Sequence, residues 1–175
     1  MASPRDRIVQ TASGLFGKQG YNSTGINQII FEARVAKASF YQYFKSKDHL
    51  CVEYLNVRHQ YWFNELNHFC AQEETSKSRV LKSFDFLIHM NQKENFQGCS
   101  FLNTLSEIPM NNAEILNVIQ HHKTDLRHYF TKLLMDDILS DHIYLLFESS
   151  IIESQLFKSN ELIERSKKII NNLIP

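Results

Sequence analysis

Five glycines and three prolines serve a chain of 175 residues, and this scarcity of chain-breaking residues is what most limits the fold. A β-rich chain of such length needs many tight turns, and tight turns draw on glycine and proline. Long helices need few. Apolar residues also recur at helical spacing almost throughout, so the chain reads as all-α.

Ile8, Ala12, Leu15 and Phe16 line one face of a first helix, with Pro4 in its first turn, Ser3 as its cap and Gly20 at its end. A second helix follows "NST" and turns Ile26, Ile29, Ile30 and Ala33 inward. The tripeptide "ARV", residues 33–35, makes a turn into a short third helix over about 36–43. Ser46 caps a fourth, which reaches about residue 71. A fifth is expected over about 76–92, and a short sixth lies in "GCSFLNTLSEIP", stopped by Pro109. A long seventh covers "NNAEILNVIQHHKTDLRHYFTKLLMDDI". The last two fall at about 140–157 and 160–174, for about nine helices in all.

The apolar fraction of 43% and charged fraction of 22% belong to an ordinary globular protein. Net charge is zero, but it is unevenly spread. Residues 1–50 hold seven Lys/Arg and three Asp/Glu, a net of +4, which leaves −4 for the remainder. A basic head on an acidic body suggests an anionic partner for the head. The start "MASPRDRIVQ" has no apolar signal core. The apolar run Ile143–Phe147 is far too short to cross a bilayer. Cys51, Cys70 and Cys99 are odd in number and scattered, as free thiols in a reducing cytoplasm would be. The expectation is a cytoplasmic protein with no membrane partner.

Two short helices joined by a tight turn behind a supporting helix make a helix-turn-helix. The motifs "LFGKQGY", "T..I..I" and "V.K.SFY.YF.SK..L" carry a specific likeness. Over residues 5–50 the chain resembles the TetR/AcrR family of bacterial transcriptional regulators; beyond residue 50 the likeness is one of layout. The resemblance implies a helix-turn-helix DNA-binding domain over residues 1–48 and a helical ligand-binding and dimerisation domain over 49–175. It implies a repressor that binds a palindromic operator in double-stranded DNA as a homodimer and is released by a small-molecule inducer. Two positions depart from the family pattern. Arg34 stands where glycine is usual before the turn valine, and Ala36 stands where serine usually opens the third helix. Arginine is costly if that backbone needs positive φ, and alanine supplies no side-chain cap.

At about 100° per residue, Phe40 and Phe44 of the third helix point the same way, inward. The opposite side is centred on Ala38 and Gln42, flanked by Ser39 and Tyr41, with Lys37 and Tyr43 nearer the edges. Alanine can touch a thymine methyl, glutamine can pair with adenine N6 and N7, and Lys37 can reach guanine or phosphate. Lys47 in the first turn of the fourth helix, and Thr24 as a cap before the second, are candidate phosphate contacts, Thr24 being equally well a cap alone.

In the body, Tyr61, Trp62, Phe84, Phe101 and Tyr129 are candidate ligand-binding residues, with plain core packing as the alternative for each. Such a lining implies an apolar or aromatic ligand. Cys99 in "QGCSF" sits near a helix start and is a possible thiol sensor of electrophiles, or a buried small apolar residue. Ile143, Phe147, Ile151, Leu162, Ile169 and Ile170 on the final two helices form the expected dimer interface; the resemblance implies a four-helix bundle there. His121, Asp125 and His128 share a helix face, but no cysteine or acid cluster completes zinc spacing, so neither metal nor cofactor is expected.

No G-x-S-x-G, H-E-x-x-H or G-x-x-x-x-G-K-[ST] occurs. An enzyme or small-molecule carrier with a vestigial head therefore lacks a catalytic constellation. A sequence-indifferent DNA-packaging protein lacks the charge.

Overall fold

The computed structural model describes residues 2–109 and 111–174. Among the described residues there are nine helices and no strand: α1 Pro4–Gln19, α2 Ile26–Glu32, α3 Lys37–Tyr43, α4 Lys47–Phe69, α5 Ser76–Lys93, α6 Ser100–Glu107, α7 Ala113–Leu134, α8 Asp137–Phe157 and α9 Glu161–Leu173. No described helix is long and apolar enough to cross a membrane.

The predicted helix starts have physical causes that the coordinates bear out. Ser3 Oγ accepts from Asp6 N–H at 3.1 Å while the Asp6 carboxylate accepts from Ser3 N–H, a reciprocal cap on α1 with Pro4 in the first turn. Ser46 Oγ accepts from His49 N–H at 3.0 Å and caps α4. Thr75 and Ser78 cap α5 in the same reciprocal way. The expected single run through "LLMDDI" is corrected. Met135 takes φ 54°, α7 ends at Leu134, and the Asp136 carboxylate accepts from Leu139 N–H at 2.9 Å to open α8 at Asp137.

The chain divides into two compact units, Met1–Gln60 with Ser100–His121, and Tyr61–Cys99 with His122–Pro175. The first holds α1–α3, the opening of α4, α6 and the opening of α7. Its buried side chains include Ile8, Ala12, Phe16, Ile29, Phe40, Phe44, Leu50, Leu55 and Phe101. The second is held by a ring-rich core in which Phe84 and Phe130 pack edge-on against Phe147 at 5.2 and 5.3 Å between centroids, and Trp62 against Phe86 at 5.3 Å. Ile143, Ile163 and Ile170 belong to the same core. α8 and α9 approach closely through small residues; Ser150 Oγ and Ser166 Oγ lie 3.2 Å apart and buried.

Candidate nucleic-acid interface

The turn between α2 and α3 sets the geometry of the candidate reading helix. Val35 N–H donates to Ile30 carbonyl and Arg34 N–H to Phe31 carbonyl, each at 3.2 Å. This paired pattern caps a helix C-terminus when the residue after the cap is left-handed. That residue is Arg34, at φ 51°. Ala36 then opens α3 in extended backbone with no side-chain cap bond. Both departures noted in the sequence thus fall where the backbone feels them.

Phe40 and Phe44 are buried as the helical wheel predicts, their rings 6.1 Å apart. Lys37, Ala38, Tyr41, Gln42 and Tyr43 are exposed, and Ser39 is half-buried. Tyr41 keeps 46% of its surface open. The face of α3 opposite its anchors therefore presents small, amide and phenol groups, all free to meet a groove. Sequence reasoning passed over Phe31 on α2, which is 81% exposed. The wheel held the signal, because residue 31 lies about 200° around from Ile29.

Two phosphate candidates stand differently from expectation. Thr24 is corrected: it is buried, and its hydroxyl donates to Gly20 carbonyl at 2.7 Å. The residue capping α2 is Gly25, so Thr24 closes the α1–α2 turn and has no group to offer phosphate. Lys47 is half-buried. Its ammonium donates to Tyr21 carbonyl at 3.0 Å and sits 4.1 Å from the Tyr21 ring centroid.

A polar network supports this turn from behind. The Tyr21 hydroxyl donates to the Asp48 carboxylate. Burial, and then Asp48, push the Tyr21 phenol well above its ordinary range. Asn112 Nδ2 donates to the other Asp48 oxygen at 2.8 Å. Glu107, at the end of α6, accepts from Asn22 N–H at 2.6 Å, and its carbonyl accepts from Asn22 Nδ2 at 2.9 Å. Gly20 has φ 88° and lies against the Glu107 carboxylate, which a Cβ would strike.

In the second unit Trp62 and Phe84 are core, Tyr61 is half-buried, and the Tyr129 hydroxyl is buried without a hydrogen-bond partner. Phe101 is buried in the first unit, apart from those four. Cys99 is half-buried, and Lys123 Nζ lies 3.5 Å from its sulfur while donating to Glu148 at 2.6 and 2.8 Å.

The expected dimer set is corrected in part. Ile143, Phe147 and Ile170 are fully buried in their own chain and have no surface for a second copy. Ile151 is half-buried, and Leu162 and Ile169 are exposed. The exposed apolar residues of α8 are Ile138, Leu145, Ile152 and Leu156, a neighbouring stripe.

Residues 8–54 match the family model described as bacterial regulatory proteins, tetR family. An uncharacterised helix-turn-helix transcriptional regulator of Lactococcus lactis is 24% identical over 129 residues, 73% of this chain and 66% of that protein. The regulator QacR of Staphylococcus aureus is 28% identical over 123 residues, 69% of this chain and 57% of that protein. These matches span less than two thirds of the relatives' own lengths. A crystal structure of a TetR-family transcriptional regulator from Streptomyces coelicolor superimposes with a TM-score of 0.89 at 22% identity, covering 98% of this chain and 94% of that one. With that family's signature across α1–α4 and its fold along the whole chain, the protein belongs to the TetR family of bacterial regulatory proteins.

Proposed function

We propose that the protein is a ligand-responsive transcriptional repressor that binds a palindromic operator as a homodimer. The observation that carries this reading is the exposed face of α3: Lys37, Ala38, Tyr41, Gln42 and Tyr43 stand open on a helix anchored from behind by Phe40 and Phe44. Laid in a major groove, Gln42 pairs with an adenine edge and Ala38 meets a thymine methyl. The tyrosine hydroxyls and Lys37 serve bases or nearby phosphates. Lys47 reaches phosphate at the start of α4 by letting go of the Tyr21 carbonyl.

One reading helix covers a half-site; two, related by a two-fold axis, match half-sites about 34–36 Å apart. The second copy docks on the open stripe of α8 and α9, where Leu145, Ile152, Leu162 and Ile169 are exposed. Exposed apolar area of this kind marks a protein contact.

The inducer enters the second unit among Tyr61, Trp62 and Tyr129, whose buried hydroxyl offers a polar handle for an aromatic ligand. An electrophile is the other inducer class, through Cys99. The Lys123 ammonium beside that sulfur favours the thiolate that attacks. Either event shifts the population toward a conformation whose reading helices no longer fit the operator spacing, and this needs a differential affinity of a few kcal/mol.

The test is a mobility-shift titration with the DNA upstream of the protein's own gene against random competitor. Selective binding as a dimer is expected. Equal binding to both DNAs, or binding to neither, overturns the proposal.

A further inference from the structure

His59 on α4 and His121 on α7 come together as stacked imidazoles, with centroids 5.5 Å apart and ring planes 26° from parallel. Asp125 stands one turn beyond His121 on the same helix. Each of the three offers one ligand atom, and these atoms lie within 4.8 Å of one another. His59 and Asp125 are half-buried and His121 is exposed, so the cluster is walled yet open to an entering ion. The spacing along α7 alone does not announce a site. The missing ligand comes from α4, far away in sequence, and His128, which shares the α7 face, is not part of the cluster.

We propose that His59, His121 and Asp125 form a binding site for a divalent transition-metal ion of the zinc, cobalt or nickel kind. Imidazole suits these borderline ions, and a single carboxylate is too few for calcium or magnesium, which prefer oxygen cages. A zinc ion bonds each imidazole nitrogen at about 2.0–2.1 Å, so the nitrogens close up through side-chain rotation, for which the exposed His121 is free. Three protein ligands leave a fourth position to water, the arrangement of an open rather than a structural site. The neighbouring His122 takes no part. It is buried, its ring edge-on to Trp62 and Phe63 at 5.6 and 5.5 Å. A bound ion pins α4 to α7, and α4 begins directly behind the reading helix. The metal is thus a second input to the protein, separate from any organic inducer.

The test uses metal-free, full-length protein in reducing buffer, titrated with Co²⁺ and followed by its visible absorption, then displaced with Zn²⁺. One ion per chain is expected, with absorption bands of nitrogen and oxygen ligation and no thiolate charge-transfer band. His121→Ala and His59→Gln are each expected to weaken binding at least tenfold, and Asp125→Asn by a smaller factor. His128→Ala keeps the wild-type affinity. Thermal melts without metal check that each variant is folded, and only the wild type and His128→Ala gain thermal stability on adding Zn²⁺. Binding that survives in both histidine variants, or a thiolate band, places the ion elsewhere and overturns the proposal. So does a wild type that binds no tighter than His121→Ala. None of these readouts involves DNA, so the result stands or falls apart from the operator reading.

Discussion

Arg34 carries a backbone conformation that side chains resist. At φ 51° its Cβ crowds the following carbonyl, and left-handed backbone costs roughly 1–2 kcal/mol for a residue other than glycine, asparagine or aspartate. The two hydrogen bonds of the turn fix that conformation whichever residue is there. Arg34→Gly is therefore expected to stabilise the protein. The gain is about 1 kcal/mol, since the freer unfolded chain of glycine takes back part of the relief. A urea melt read by circular dichroism checks this; an unchanged or lower midpoint at equal slope contradicts it. A second residue-scale prediction concerns recognition. Gln42 is exposed at the centre of the α3 face and takes no part in the anchoring core. Gln42→Ala is expected to leave the melt unaltered and to relax preference at one base pair by about 1–3 kcal/mol. Equal loss on specific and random DNA removes Gln42 from the base-reading set.

Among elements, α7 and α8 are joined by a buried ion pair, Lys123–Glu148, with side chains only 13% and 14% exposed. Burial pulls the Lys123 ammonium down, but the charges of Cys99 and Glu148 outweigh it and leave its pKa raised. A raised folded-state value means that this stability is complete below the ordinary lysine range and is lost only as pH climbs through the folded value. Glu148→Gln leaves a charge buried without its partner and is expected to cost about 3–5 kcal/mol; adding Lys123→Met recovers most of it, because two apolar groups need no compensation. A double-mutant cycle from denaturant melts measures both. The same two helices show where sequence legibility ends. α1 to α3 are punctuated by Ser3, Gly20 and the "ARV" turn, so their bounds and the Phe40–Phe44 anchor follow from spacing. The α7–α8 break has neither glycine nor proline; only the two aspartates of "MDDI" mark it, and a helical period ran straight across. Thr24 reads as a cap because threonine caps, but its hydroxyl turns back to Gly20 instead, and local spacing does not distinguish the two. The imidazole pair of His59 and His121 was hidden for a third reason, being a contact between helices far apart in the chain.

For the whole molecule the decisive surface is α8, which is apolar on more than one side. Ile143 and Phe147 satisfy a helical period and so do Ile138, Leu145 and Ile152, and a period cannot say which stripe faces the chain's own core. Burial decides it: the first stripe is consumed within the chain, and the second stays open, seven residues from member to member. That heptad spacing is what a helix uses to pack along a partner helix. On α9, Leu162, Ile169 and Leu173 continue the open surface at intervals of seven and four. Ile152 is half exposed near the middle of this stripe. Ile152→Asp puts a charge there that a dimer must desolvate without a partner, whereas in a monomer it stays hydrated. Sedimentation is expected to return the 20.6 kDa chain mass for the variant and twice that for the wild type, with little change in the monomer's helix content. Affinity for a palindromic operator falls roughly 100-fold or more, since the second half-site no longer adds its contacts through a tethered partner. Affinity for an isolated half-site stays the same. Ile143→Asp behaves differently: it strikes the buried core and unfolds the chain instead of separating it. An Ile152→Asp protein that still sediments as a dimer moves the two-fold axis off α8 and α9, and with it the spacing of the two reading helices.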